Sequence, residues 1–371
     1  MKRNWLSYMC MAALLSGALT SCNESSFLNL SDPNHFTESN FWKDKADAES
    51  ALAAAYSPIK GAMYGYFGAF DGWLNLNGRG DDIFTIKGEE VPMWNIANFL
   101  NSPSTGNDPY GALYSGIQRA NIVLRYIDQV PASGITEEDR SMIKGEALFL
   151  RGYQYFLLVN NYKEVPLRLI PSNEDETNKG PASEAALWTQ VEEDLGNAIK
   201  CNLPVERTTA KERVTKGAAI AMLGKVYATQ HRYPEAKQLL GTLLKAPYSY
   251  ELIDNFGKNF TNEDEFNKES VYEIAYSPDG EYSWSNESGI CLGCYIPQFT
   301  GPVKSGGWAK LMPNSFIVGE FTRETRPNDA DTKFDRRMYA SLFFDAANYG
   351  DKVPNEKWYG NNYSMDELWE G

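Results

Sequence analysis

Apolar residues recur every three or four positions along much of the chain, which is the spacing of helices that bury one face. One stretch opens at Thr136, whose hydroxyl precedes three acidic residues, the arrangement of a helix N-cap with acids over the first turn. Short or moderate loops join the later stretches, which favours antiparallel helix pairs and a mainly α-helical fold. The predicted helices are 46–56, 113–127, 137–157, 181–200, 214–230 and 234–244.

The last two helices carry the spacing of a tetratricopeptide repeat. Gly224 permits close contact between the helix backbones, Ala236 accepts the facing helix, and aromatic rings are expected to fill the gap between them. The chain therefore predicts a tetratricopeptide-like helical hairpin scaffold over about 113–245. The matching positions are Leu223, Gly224, Tyr227, Tyr233, Ala236, Leu240 and Leu243.

Two long segments, about 61–110 and about 279–310, break the helical pattern. Both are rich in glycine, polar residues and aromatic residues and show no helical period. Long irregular segments in a compact domain usually carry function, so we expect these two to do so. Residues 270–276 alternate in character and predict a strand or an extended segment.

The N-terminus has the pattern of a signal peptide. Lys2 and Arg3 precede an apolar stretch that is too short for a confident membrane span, since roughly 20 apolar residues are needed to cross a bilayer. The stretch ends in Leu-Thr-Ser-Cys, which resembles a bacterial lipobox. We therefore predict that residues 1–21 are removed, that Cys22 is lipidated and that 22–35 form a tether. Ordinary secretion with a free Cys22 thiol is the alternative.

Composition excludes several classes of function. The chain has 371 residues with 35 basic and 49 acidic side chains, a formal charge of −14, so we expect no nucleic-acid partner. Only two histidines are present, which leaves no multi-histidine metal site, and we predict no metal and no cofactor. Cys291 and Cys294 form a C-x-x-C pair without the second half of a zinc site. A local disulfide is the favoured state, with two free thiols as the alternative.

Besides the lipobox, the chain contains distinctive strings at 36–42 (FTESNFW), 117–121 (IQRAN), 144–153 (KGEALFLRGY), 214–219 (VTKGAA) and 269–274 (ESVYEI). In their order along the chain, these strings resemble the SusD/RagB family of outer-membrane nutrient-binding lipoproteins. The resemblance covers residue 1 to about residue 340, and no single string decides it. We expect a SusD-like domain over 36–371.

The resemblance implies a tetratricopeptide-like scaffold whose irregular segments build a ligand-binding face. It implies a lipid-anchored position in the outer membrane, facing the cell exterior, above a TonB-dependent SusC-like transporter. There the protein would capture an oligosaccharide and deliver it without catalysis. Family members continue into a helix with an Arg-x-Ala-Glu-x-x-Leu pattern, which is missing before Gly371, so we expect a fragment or a shortened member.

Sugars present apolar ring faces surrounded by hydroxyl groups, so a receptor needs exposed aromatic rings beside polar side chains. Both irregular segments have this mixture, although most of their rings are expected to pack beneath loops. Following the resemblance, we expect five ligand contacts: Asp81, Trp94, Asn101, Tyr282 and Trp284.

Two other functions stay open from the sequence. A surface glycoside hydrolase needs only two carboxylates flanking a sugar, and the chain is rich in acids. A tetratricopeptide scaffold that binds a protein segment follows from the helices alone. Surface lipidation and the aromatic segments favour a glycan.

Overall fold

The computed structural model describes residues 41–60, 66–68, 72, 77–85, 91–100, 109–172, 176, 178–262, 264–277, 293–303, 306–323, 326–327 and 332–344. Contacts divide the chain into the units Met1–Lys43 and Asp44–Gly371. In the first unit, the rings of Phe41 and Trp42 meet edge to face at 5.3 Å. All elements named below lie in the second unit.

The described residues are mainly α-helical, as predicted, with ten α-helices and two short strands. Two 3-10 turns, Ile127–Gln129 and Phe256–Phe260, accompany them. The elements are α1 (Lys45–Tyr56), β1 (Ile83–Thr85), α2 (Val91–Ala97), α3 (Tyr110–Tyr126), α4 (Glu137–Tyr162), α5 (Glu184–Lys200), α6 (Lys216–Thr229), α7 (Tyr233–Leu240), α8 (Ile296–Thr300), β2 (Leu311–Pro313), α9 (Ser315–Arg323) and α10 (Arg336–Ser341).

Consecutive helices from α3 to α7 pack against one another, and α1 lies on α3 and α4. The helix starts follow from their caps, because the side chains of Thr136, Ser183 and Thr215 each accept a hydrogen bond from a first-turn amide. The apolar stripes of these helices form the main core, in which Leu113, Ile143, Tyr155, Leu187 and Val226 are fully buried.

The α6–α7 hairpin has the close approach that its sequence predicts. A Cβ at Gly224 would lie 2.4 Å from Cδ2 of Leu240, so only glycine fits there without movement. Ala236 is buried against the facing helix. One expectation is wrong: Tyr233 does not fill the gap but is 59% exposed, and its hydroxyl lies 2.8 Å from Nδ1 of His231. Helix α7 also ends at Leu240, before the predicted end at residue 244, and turns follow it.

Glu146 on α4 is a buried junction between several parts of the scaffold. Its carboxylate accepts hydrogen bonds from Tyr56 on α1 (2.5 Å), from Arg207 (2.7 Å) and from Arg213 (2.8 and 3.0 Å). Arg213 also pairs with Glu49 at 2.8 Å. Burial, and then the neighbouring Glu146 charge, hold the pKa of Tyr56 well above its ordinary value, so its hydroxyl stays a donor.

A second buried pair joins α4 to α5. Arg151 binds Asp194 through two hydrogen bonds of 2.8 and 2.6 Å, and it donates a third, of 2.9 Å, to Asn121 on α3. Asn121 in turn donates to the carbonyls of Arg168 and Ile170. Glu146, Arg151 and Asn121 all belong to strings that carry the family resemblance, so those strings encode the framework.

The two segments predicted to be irregular contain short elements that the pattern missed. The first includes β1 and α2, and the second includes α8. Residues 270–276 form no helix and, within the described ranges, pair with no strand, so the strand alternative is wrong for them.

Candidate functional site

A short antiparallel ladder brings the first irregular segment to the end of the second. Strands β1 and β2 pair with Ile83 opposite Pro313 and Thr85 opposite Leu311. Each strand has three residues, and the two are separated by roughly 230 residues of sequence. The described parts of the two aromatic-rich segments therefore come together at this ladder.

A small apolar cluster, separate from the main core, fastens this ladder. Met93 of α2, Phe299 of α8 and Leu311 of β2 are its buried members. Half-buried side chains surround them, namely Ile83, Tyr295, Ile296 and Trp308. Because the cluster draws members from both segments, packing them together buries surface that neither segment could bury alone.

Aromatic rings from the second segment contact one another within this cluster. Trp308 lies nearly parallel to Tyr295, with ring centroids 6.3 Å apart and planes 20° apart. It meets Phe299 edge to face at 5.4 Å. These geometries are those that aromatic pairs prefer, and they fix the orientation of the half-buried Trp308 ring.

Asn314 connects the ladder to α9. Its amide nitrogen donates to the carbonyl of Asp82 at 3.0 Å, and its side-chain amide donates to the carbonyl of Asp81. Its side-chain oxygen accepts from the amides of Phe316 (2.9 Å) and Ile317 (3.1 Å), which caps α9. Asn314 thus holds the backbone before β1 and the start of α9. Only its role as a helix cap could be predicted from the sequence.

Two of the five predicted contact residues can be placed. Asp81 is exposed just before β1, and among the described residues its carboxylate has no hydrogen-bond or ion-pair partner. Trp94 is half-buried on α2 beside Met93, and its carbonyl accepts a 2.7 Å hydrogen bond from Asn98. Asn101, Tyr282 and Trp284 lie outside the described residues, so their positions remain predictions.

The first segment is also attached to the scaffold. Arg79 donates a 2.9 Å hydrogen bond to the side-chain oxygen of Asn161 near the end of α4. Burial raises the pKa of the Tyr66 hydroxyl, while a hydrogen bond with Asn161 and the charge of Arg79 act in the opposite direction. Asn161 thereby ties this segment to the longest helix of the scaffold.

Sequence reasoning missed Phe84, whose ring lies on the open side of β1 and is 42% exposed. Phe316, at the start of α9, is 53% exposed. Phe84 lies within β1 and Phe316 follows β2, and strands of three residues are too short to show a period of two. The exposed Phe84 and Phe316 rings and the exposed Asp81 carboxylate give this face the mixture of aromatic and polar groups that a sugar ring requires.

Three further features concern metal ligands, membrane spans and cysteines. No group of three or more potential metal ligands occurs within the described ranges. In that same part of the chain, no helix is both long and apolar enough to span a bilayer. Cys294 is half-buried, whereas Cys291 and Cys22 lie outside the described residues, so the disulfide and the lipidation remain predictions.

Comparison with known proteins shows that this chain is similar to helical SusD-like proteins. Residues 82–228 match a SusD-like family model described as starch-binding and associating with the outer membrane, and residues 268–370 match the SusD family model. Together these matches span about two thirds of the chain. The chain belongs to the SusD/RagB family.

Individual relatives agree with this assignment. A SusD-like protein of Formosa agariphila is 25% identical over 329 residues, which is 80% of this chain and 61% of that protein. A SusD superfamily protein from Bacteroides vulgatus is 29% identical, with a TM-score of 0.69 over 81% of this chain and 61% of that one. A laminarin binding SusD-like protein is 27% identical, with a TM-score of 0.66 over 74% and 63%. The chain thus spans about three fifths of the length of these relatives.

Proposed function

We propose that this protein binds an oligosaccharide at the cell surface without altering it. Membership of a family described as starch-binding and associating with the outer membrane supports this proposal. The observation that carries it is the β1–β2 ladder with its apolar cluster, which brings the described parts of the two aromatic-rich segments together.

The chemistry of that face suits a sugar. Trp94 and Phe84 offer apolar rings for the sugar C–H faces, and the exposed Asp81 carboxylate accepts hydrogen bonds from hydroxyl groups. We propose that Asn101, Tyr282 and Trp284 complete the binding site, because they belong to the same two segments.

The finer parts of the proposal concern location and delivery. We propose that a lipid on Cys22 anchors the protein in the outer membrane facing the exterior, and that it passes its ligand to a TonB-dependent SusC-like transporter. Gentle detergent extraction followed by affinity purification should recover such a transporter with the protein. Recovery of a soluble protein in its place would favour a protein-binding scaffold.

The first ligand to test is laminarin, since a relative at 27% identity is a laminarin binding protein. Binding of laminarihexaose to the mature chain is measured by calorimetry, together with starch-derived and other oligosaccharides. Trp94→Ala should weaken binding at least tenfold, about 1.4 kcal/mol, because one stacking ring is lost. Trp188→Ala is the matched control, since Trp188 is also half-buried but lies on α5.

Two results would contradict the proposal. If no oligosaccharide in a broad panel binds, or if Trp94→Ala binds as tightly as the wild type, the assigned face is wrong. New reducing ends after incubation with a polysaccharide would favour a glycoside hydrolase and remove the non-catalytic assignment.

A further inference from the structure

A cleft of about 180 Å³ lies on the helical scaffold and shares no lining residue with the face described above. Its walls come from the loop before α6, from the stretch 247–250 and from the stretch 266–273. All of these lining residues belong to the described part of the chain. The cleft is therefore a separate feature.

Two tyrosines form an ordered aromatic surface in one wall. The rings of Tyr248 and Tyr250 are parallel to within 11°, with centroids 6.1 Å apart. Residues 248–250 form no helix or ladder, and side chains two apart in an extended backbone project to the same side. Both rings are half-buried, so each retains exposed surface.

The scaffold holds Tyr250 in place before any ligand arrives. Burial raises the pKa of the Tyr250 hydroxyl, and the side chain of Thr215, the N-cap residue of α6, acts in the opposite direction. A Cβ at Gly217 would lie 2.1 Å from the same hydroxyl, so the ring end rests directly against the first turn of α6. Burial raises the pKa of both Tyr248 and Tyr250, which keeps their hydroxyls neutral. A preorganised ring loses little freedom on binding.

Most charged side chains around the cleft already have a hydrogen-bond or ion-pair partner. Arg207 is committed to Glu146 at 2.7 Å, and Glu273 accepts a 2.9 Å hydrogen bond from the amide of Phe266. Lys268 pairs with Glu251 at 3.0 Å.

Glu206 and Lys211 are the uncommitted charges in the cleft wall, since neither has a hydrogen-bond or ion-pair partner within the described residues. Their charges are opposite and cancel. The site therefore offers a donor, an acceptor and ring faces without a net charge, which suits a neutral ligand bearing hydroxyl groups.

We propose that this cleft is a second carbohydrate site that takes a single neutral pyranose ring. Its volume of about 180 Å³ lies below the range of about 300–1,000 Å³ for pockets that take drug-sized ligands, which suits one sugar ring. The sugar would lie against the Tyr248 and Tyr250 rings with its hydroxyls toward Glu206 and Lys211. The ligand class rests on the proposed glycan-binding function.

The test is saturation-transfer NMR on the mature chain with two probes, methyl β-D-glucopyranoside and laminarihexaose. Tyr248→Ala should reduce the monosaccharide signal at least threefold, whereas Trp94→Ala should leave most of that signal and reduce hexaose binding. Lys211→Ala, at an exposed position, should also lower the monosaccharide signal. Tyr233→Ala is the matched control, because it removes an exposed tyrosine from α7 and should change neither signal.

The outcomes separate this inference from the proposed function. If the wild type binds laminarihexaose but Tyr248→Ala and Lys211→Ala leave the monosaccharide signal unchanged, the second site is wrong and the proposed function stands. A wild type that binds the hexaose without any monosaccharide signal has the same meaning. If neither probe binds, the second site is wrong, whereas the proposed function falls only if the broad oligosaccharide panel also fails to bind.

Discussion

Replacing Glu146 by alanine is expected to destabilise the scaffold more than any surface change on the same helix. The side chain is fully buried and accepts hydrogen bonds from Tyr56, Arg207 and Arg213. Its removal leaves two largely buried guanidinium groups, 10% and 20% exposed, without this partner. Breaking a buried ion pair from one side costs about 3–5 kcal/mol.

That magnitude follows from the contacts but is less than their sum. Hydrogen bonds to charged groups contribute about 1.5–3 kcal/mol each, and several of them added together would approach the whole stability of a domain, about 5–15 kcal/mol. Arg213 retains its 2.8 Å pair with Glu49 in the variant, which lowers the cost. Glu146→Gln keeps the volume and one acceptor, so it should fall between the wild type and Glu146→Ala.

The assay is urea unfolding followed by circular dichroism at pH 7. The slope of the free energy of unfolding against urea concentration is compared between variants. Lys144→Ala is the matched control, because Lys144 lies one half-turn away on α4 and forms an exposed 2.8 Å pair with Asp128. Exposed pairs contribute about 0–1 kcal/mol. If Glu146→Ala costs no more than Lys144→Ala, the reasoning about the buried junction is refuted.

Three further predictions concern pH, packing and anchoring. A hydrogen bond from Lys45 lowers the pKa of Asp139 from its ordinary value of 3.8. The pair therefore stabilises the fold fully above pH 3.8, and this stabilisation is lost as the pH falls through the lowered pKa. Lys45→Met should therefore cost at most about 1 kcal/mol at pH 7, and nothing in urea titrations below that pKa. Gly224→Leu should lower the free energy of unfolding by about 1–3 kcal/mol, because the larger side chain forces α6 and α7 apart. Gly196→Ala is the control: open space surrounds Gly196, so alanine should stabilise α5 by up to about 1 kcal/mol. Equal effects of the two substitutions in urea unfolding would contradict the packing argument. Cys22→Ala should move the protein from the membrane fraction to the soluble fraction, and continued membrane retention would contradict lipidation.

The helical scaffold was predictable because its signals are local and repeated. Thr136 marks the start of α4, and the apolar period carries through its buried face. Gly224 and Ala236 predicted a close hairpin because small residues at matched positions are needed for backbones to approach. Tyr233 shows the limit of that reasoning, since its spacing allows either a buried or an exposed ring.

The candidate face was only partly predictable. Its two segments were recognisable by composition, but β1, α2, α8 and β2 have three to seven residues, too few for a period to emerge. The pairing of Ile83 with Pro313 depends on geometry across most of the chain, and nothing local encodes it. Trp94 and Asp81 were reached through a family resemblance rather than through a position-specific signal.

The span of the β1–β2 ladder has a consequence for the order of folding. Consecutive helices of the scaffold pack on one another and are separated by far fewer residues, so they can form early, whereas closing a loop of roughly 230 residues is slow and entropically costly. The scaffold is therefore expected to be structured before the ladder joins. During synthesis from the N-terminus, β1 has no partner until β2 has been made. The proposed binding face is thus completed late, and a ligand bound there would stabilise the part of the molecule that forms last.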